Sequence, residues 1–244
     1  MMNVFGALTS LLLTLIVVGS GQSSLTSGGV DHPADAKLIR PSMLVWATGL
    51  VETITPAVLN GRKTWRVTHY PQDPADTSTN DYDLYDLDRN TLAPVRSVRN
   101  TDEYRLELLF SEAKVILHRT AYKDKATEEI ALTTAVQAEG PGLDVFVAGL
   151  PLTPGYKLRY AIVDRWGGHG RTRIKPMTLS VSSRTTEISV LGKREVYKVA
   201  IWPDDNSFQI DEKVLADGPH FPLWVKYTRD GKTYPPSEVV AMID

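Results

Sequence analysis

Any chemistry in this chain has to come from scattered residues. The histidines His32, His69, His118, His169 and His220 include no His-x-x-x-His pair, so no zinc motif is visible. No serine sits in a Gly-x-Ser-x-Gly elbow. Cysteine is absent, which removes thiolate nucleophiles, disulfides and Cys-ligated zinc. Neighbouring carboxylates such as Glu128-Glu129 and Asp204-Asp205 point apart in a strand, so they do not read as a paired acid and base. No cofactor, no metal and no enzymatic activity are expected.

Four groups of residues remain as binding candidates. Lys157, Arg159, Arg165, Arg171, Arg173 and Lys175 can share one face of a long hairpin and grip phosphate or carboxylate. The favoured reading is plainer: an outer face with acidic partners on adjacent strands. Trp166-Gly167-Gly168-His169-Gly170 offers backbone amides to an anion, but it lacks a P-loop ending and reads first as a hairpin turn. Asp81, Asp83, Asp86 and Asp88 have the oxygens calcium needs. They lack the glycine and final Glu of an EF-hand, and read first as a bulged strand with solvated carboxylates. Trp46, Trp65, Trp166, Trp202 and Trp224, with the tyrosines, are mostly core, or else line the concave side of a curved sheet.

The elements that must position these residues are short β runs between turn signals. Met43 to Thr55 and Arg62 to Tyr70 flank Asn60-Gly61, the strongest short hairpin signal. Asp81 to Asp88 and Leu92 to Arg99 turn at Arg89-Asn90. Tyr104, Leu106, Leu108 and Phe110 alternate with polar residues, and Val115 to Tyr122 follows. Lys123 to Glu139 reads as strand or irregular structure. Leu143 to Leu150 reads as a short helix stopped by Pro151. Further runs are Leu158 to Ile162, Leu179 and Val181, Thr186 to Val190, Glu195 to Trp202, Ser207 to Asp211, Pro222 to Thr228 and Thr233 to Val240. Short strands at regular spacing predict a sandwich, barrel or curved sheet.

The 244 residues carry a formal charge of -2, which gives no global attraction for nucleic acid or an anionic membrane. Val4 to Val18 is apolar or small and precedes Gly19-Ser20-Gly21, as in a signal peptide, although no Lys or Arg precedes it. The expected organisation is a signal peptide over 1–21, a flexible segment over 22–40 and a single β domain over 41–244. No later segment is long and apolar enough to span a membrane, so a periplasmic or secreted protein is expected.

One combination of residues suggests a family. A short helix, Pro151-Leu152-Thr153-Pro154-Gly155-Tyr156, a strand ending in Val163-Asp164, and Leu191-Gly192-Lys193-Arg194-Glu195-Val196-Tyr197 follow in order. This order resembles exported bacterial β-sheet proteins of unknown function. Leu87-Asp88-Arg89-Asn90-Thr91-Leu92-Ala93-Pro94 resembles their Asp-x-x-Thr-Leu-x-Pro turn. The resemblance implies a mainly β fold, a curved antiparallel sheet or incomplete β-barrel with one short helix. Its architecture is similar to the periplasmic lipoprotein carriers LolA and LolB. It brings no catalytic residues, and the missing cysteine separates this chain from a LolB-like lipoprotein.

The expected role is therefore non-enzymatic binding in the cell envelope, of a lipid-like or other hydrophobic ligand. Trp65, Tyr104, Leu106, Tyr160, Tyr197 and Trp202 are the candidate lining, with Arg159, Arg171 and Arg173 for an anionic head group at the rim. The alternative is a structural or assembly factor that binds an envelope protein through a sheet edge. A third class is a hydrolase built on His118 or His169 with a nearby Asp.

Overall fold

A computed structural model describes residues 34–71, 81–121, 124–164 and 172–243. The apolar N-terminal segment, the loop after Pro71, the glycine-rich turn and Arg171 lie outside these residues.

The described chain is mainly antiparallel β. After a 3-10 turn at Ala36–Leu38 come β1 (Ser42–Trp46), β2 (Leu50–Leu59) and β3 (Arg62–Pro71). Then follow β4 (Tyr82–Asp88), β5 (Pro94–Asn100), β6 (Tyr104–Phe110), β7 (Lys114–Ala121) and β8 (Asp124–Ala131). Helix α1 (Pro141–Ala148) separates this series from a second. That second series is β9 (Lys157–Asp164), β10 (Arg173–Ser189), β11 (Gly192–Pro203), β12 (Phe208–Leu215) and β13 (Pro222–Arg229). A short β14 (Lys232–Thr233) pairs only with β13, and β15 (Ser237–Ile243) joins the two series by pairing with both β1 and β13.

Turn chemistry explains the meanders. Asn60-Gly61 has φ of 50° and 81°, and Asp230-Gly231 has 49° and 75°, the positive pairs that match the twist of a tight hairpin. Met43 to Thr55, expected as one run, is two strands. Gly49, at φ 82°, turns the chain between β1 and β2. The helix starts two residues earlier than expected because Pro141 suits a first helical turn, and it ends at Gly149 before Leu150.

The sheet runs from β8 at one end to β9 at the other and does not close. Register shows how it curls. Trp65 of β3 opposes Leu87 of β4, and Tyr160 of β9 opposes Met177 of β10. All four belong to one core, so a single face of the sheet wraps around it. Helix α1 lies inside the wrap. Leu143, Val145, Phe146, Val147 and Ala148 are all buried, as expected of a helix that is apolar on every side but that of Asp144.

The ends of the sheet overlap rather than meet. Tyr160 and Ile162 of β9 face the main core, while Ala161 and Val163 point the other way. They pack with Leu106 and Leu108 of β6 and Val115 and Leu117 of β7. The free edge of β9 is covered in part, because the Gln137 amide donates to the Ala161 carbonyl at 2.7 Å.

Register also corrects the basic hairpin face. Arg173 and Lys175 oppose Asp164 and Ile162, whereas Lys157 and Arg159 oppose Ser180 and Thr178 in the other phase. The four cations therefore divide between the two faces of the sheet.

Candidate functional site

The wrapped sheet is filled by α1 only in part. At the helix N-terminus a cavity of about 370 Å³ remains, opening to solvent. Its wall is largely apolar: Trp46, Leu50, Leu143, Ile162, Met177, Phe208, Ile210 and Val225 contribute to it. Set among them are Glu52, Glu139, Asp144, Glu212 and His69.

Strand phase puts these acids inside. Glu52 follows Leu50 and precedes Ile54 on the core side of β2. Glu212 likewise falls between Ile210 and Val214 on β12, opposite Val225 of β13. Asp144 projects from the first turn of α1. Glu52 is 1% exposed and Glu212 3%. Neither carboxylate oxygen of Glu52 has a hydrogen-bond partner among the described residues, and neither does Oε2 of Glu212. The Trp46 indole N–H and Nε2 of His69 are in the same condition.

Burial without a partner disfavours the charged form. Glu52 is pushed up to about 8, chiefly by burial and then by Glu212. Glu212 is raised to about 7 by burial. Asp144 is raised well above the usual carboxylate range by burial, then by Glu52 and Glu212. Burial lowers His69, which favours the neutral imidazole. The acids thus face one another across an apolar space and hold protons near neutral pH.

Among the described residues, no Lys or Arg borders the cavity. Lys175, 5.2 Å from the ring of the lining Phe208, is committed elsewhere. Its Nζ lies 2.9 Å from Asp164 and 2.9 Å from the Ser207 hydroxyl. Among the described residues, no group of three or more His, Cys, Asp or Glu is arranged to hold a metal ion.

None of the described lining residues expected from sequence borders this cavity. Helix α1 occupies the part of the interior toward which the inward-facing ones point. Tyr160 packs on Phe146 at 5.8 Å between ring centroids. Tyr197 packs on His220, whose amide donates to the Ala148 carbonyl at the helix end. Trp65 is core, with the Arg89 guanidinium 4.8 Å from its ring, and it borders a separate depression beside Ala34–Ile39. Tyr104 and Leu106 belong to the overlap cluster. Trp202 is out of phase with the inward Ile201 and sits half-buried on the opposite face.

The two described cations expected at a rim are in ion pairs. Arg159 meets Asp204 at 2.5 Å, and Arg173 meets Asp205 at 3.2 Å. The aspartates of the acidic run are paired as well. Asp86, fully buried, receives two hydrogen bonds from Arg66 at 2.8 and 3.2 Å. Asp83 meets Arg99 at 2.8 Å, and Asp88 meets Arg62 at 2.7 Å. His118 contacts the Thr127 hydroxyl at 3.1 Å, and His169 lies outside the described residues.

A signal for the acidic site was present in the sequence. Glu52 and Glu212 each occupy the apolar phase of an alternating strand, where a carboxylate has no solvent to face.

Comparisons with known proteins add a family and a distant structural likeness. Residues 44–231 match the family described as "Protein of unknown function (DUF3108)". No curated protein matches the chain. A crystal structure from Brucella abortus, described as a beta-barrel-like protein of domain of unknown function DUF1849, is similar at 10% identity. That likeness has a TM-score of 0.45 and covers 83% of this chain and 96% of that one.

Proposed function

We propose that this chain, which belongs to the DUF3108 family of proteins of unknown function, takes a small hydrophobic ligand into the cavity of its rolled sheet. The observation that carries the reading is the cavity itself. About 370 Å³ of largely apolar space, with a few convergent polar groups, lies within the range of small-molecule sites. We read the role as binding rather than catalysis, exerted in the cell envelope after export. Among the described residues no helix is long and apolar enough to cross a membrane.

The alternative partner-binding reading has one observation behind it. Strand β8 is a terminal strand of the sheet, almost wholly exposed along its length. Its Asp124, Lys125, Glu128 and Glu129 are the charges that keep an edge from pairing, so the cavity is the stronger ground.

The test is a cavity-filling variant. Binding of N-phenyl-1-naphthylamine, followed by its fluorescence, is expected in the wild-type protein. Ile210→Trp, which projects a larger ring into the space, is expected to weaken it about tenfold or more. Equal binding by both proteins, or none by the wild type, refutes the cavity reading.

A further inference from the structure

We infer that the ligand of this cavity is a cationic amphiphile, whose protonated amine is seated between Glu52 and Glu212 with its apolar body along the remaining wall. The inference rests on the reading of the cavity as a hydrophobic site and names the chemistry of the head group.

Charge balance carries the argument. Among the described residues, Glu52, Glu139, Asp144 and Glu212 contribute carboxylates to the wall, and no Lys or Arg does. Two of them, Glu52 and Glu212, are more than nine-tenths buried and present oxygens without hydrogen-bond partners. A buried carboxylate is tolerable only if it is neutralised, either by a proton or by a cation that also donates hydrogen bonds. An ammonium does both, with three N–H donors for the open carboxylate oxygens. A fatty acid brings a further negative charge into the same space and is disfavoured.

The wall distinguishes an organic cation from a metal ion. Calcium takes 6–8 oxygen ligands in a hydrated setting. Here the wall around the acids is largely apolar, with Trp46, Leu50, Leu143, Ile162, Met177 and Ile210, which offer nothing to an ion and much to an alkyl chain. Phe208 and Tyr227, with ring centroids 5.8 Å apart, form an aromatic wall that also suits a cation.

The exchange is balanced as one proton for one ammonium. A neutral carboxyl of the pair gives its proton to solvent, and the resulting carboxylate meets the incoming R–NH3+. Binding therefore releases a proton and tightens as pH rises toward the point where the amine itself loses charge. The groups that face this exchange come from every surrounding element. They are Glu52 from β2, His69 from β3 with Asp83 and Arg99 beside it, Glu139 before α1, Asp144 from α1, Glu212 from β12, and Tyr227 from β13 with Arg229 beside it. Tyr160 of β9, raised by burial and by Glu212, stays neutral throughout. Lys175 of β10 stays with Asp164 and Asp205.

The experiment is a calorimetric series with decylamine, decanol and decanoate, each below its micellar concentration, at pH 7 in two buffers of different ionisation enthalpy. Decylamine is expected to bind at least about tenfold tighter than decanol, with decanoate weakest and with net proton release for the amine alone. In Glu52→Gln/Glu212→Gln the preference for amine is expected to vanish while decanol binding persists. Should that variant fail to fold, the wild-type series decides alone. Decanol or decanoate matching decylamine, or no proton release with the amine, overturns the cationic head group and leaves the cavity reading standing. Failure of all three to bind overturns both.

Discussion

At the scale of single residues, Glu52 and Glu212 are buried carboxyls with oxygens that have no hydrogen-bond partner among the described residues, and stability has to show it. Glu52 holds its proton to about pH 8 when folded, against an ordinary value of 4.5, and Glu212 to about 7. Between the ordinary and folded values the native state binds more protons than the unfolded chain. Stability is therefore fully present below the ordinary value and falls as pH rises through the folded ones. His69 and His220 are lowered from 6.5 and act in the opposite direction below that pH, so the clean window lies above it. From pH 6.5 to 8 we expect a loss of about 2 kcal/mol, or roughly 5 °C in melting temperature. Glu52→Gln/Glu212→Gln should flatten the profile, and thermal melts at several pH values read it directly. A wild-type profile without slope in this window would show that the acids are not held protonated. At this scale alternation and spacing made the strands legible but not the partners of their charged side chains. The Asp81–Asp88 run reads as a bulged strand with solvated carboxylates; the strand is there, over Tyr82–Asp88, but Asp83, Asp86 and Asp88 are tied to Arg99, Arg66 and Arg62, and Asp86 is fully buried. The acidic site was not read. Alternation was used to find apolar faces, whereas the signal lay in the two carboxylates that interrupt them.

At the scale of elements, the helix decides where the cavity is. The sequence shows a short apolar helix ended by proline, and the structure contains one. It does not show that the helix sits inside the curled sheet, because a helix apolar on nearly all sides looks the same in any buried setting. That placement is why Tyr160 and Tyr197 do not border the cavity at the helix N-terminus, for the space beside them is occupied by Phe146 and its neighbours. The close fit depends on Gly142. A Cβ there would lie 2.6 Å from the Ala138 Cβ and 2.9 Å from the Tyr85 ring. Tyr85 is 1% exposed and has nowhere to move. Gly142→Ala is therefore expected to lose about 1–3 kcal/mol by overpacking, despite alanine's better helix propensity. Urea denaturation measures it, and a stabilised variant would show that α1 is not held against β4. The hairpins are the legible counterpart. Asn60-Gly61 and Asp230-Gly231 turn as their types demand, because that preference is set within two residues and needs no tertiary context.

At the scale of the molecule, β9 links the two cores. Its Tyr160 and Ile162 pack into the main core around α1, and its Ala161 and Val163 pack into the overlap with β6 and β7. Alternation along eight residues of one strand thus joins the two ends of a sheet that hydrogen bonds leave open. Sequence patterning gives each strand two faces but does not reveal that both faces of β9 would be covered, since the overlap joins residues more than forty positions apart. If β9 couples the cores, neither can melt alone. Phe146 in the main core and Leu108 in the overlap, each 1% exposed, test this from opposite sides. Phe146→Ala is expected to cost about 3–5 kcal/mol and Leu108→Ala about 2–5 kcal/mol. Each should shift one and the same calorimetric transition, with calorimetric and van't Hoff enthalpies in agreement. The double variant should sum the two losses to within about 0.5 kcal/mol, because the residues share no partner. Two resolved transitions, each moved by only one of the substitutions, would mean that the roll comprises two independent units and that the cavity side folds without its overlap. A single transition moved by both would make the overlap a clasp on the cavity, so that loosening β6 weakens ligand binding without touching the lining.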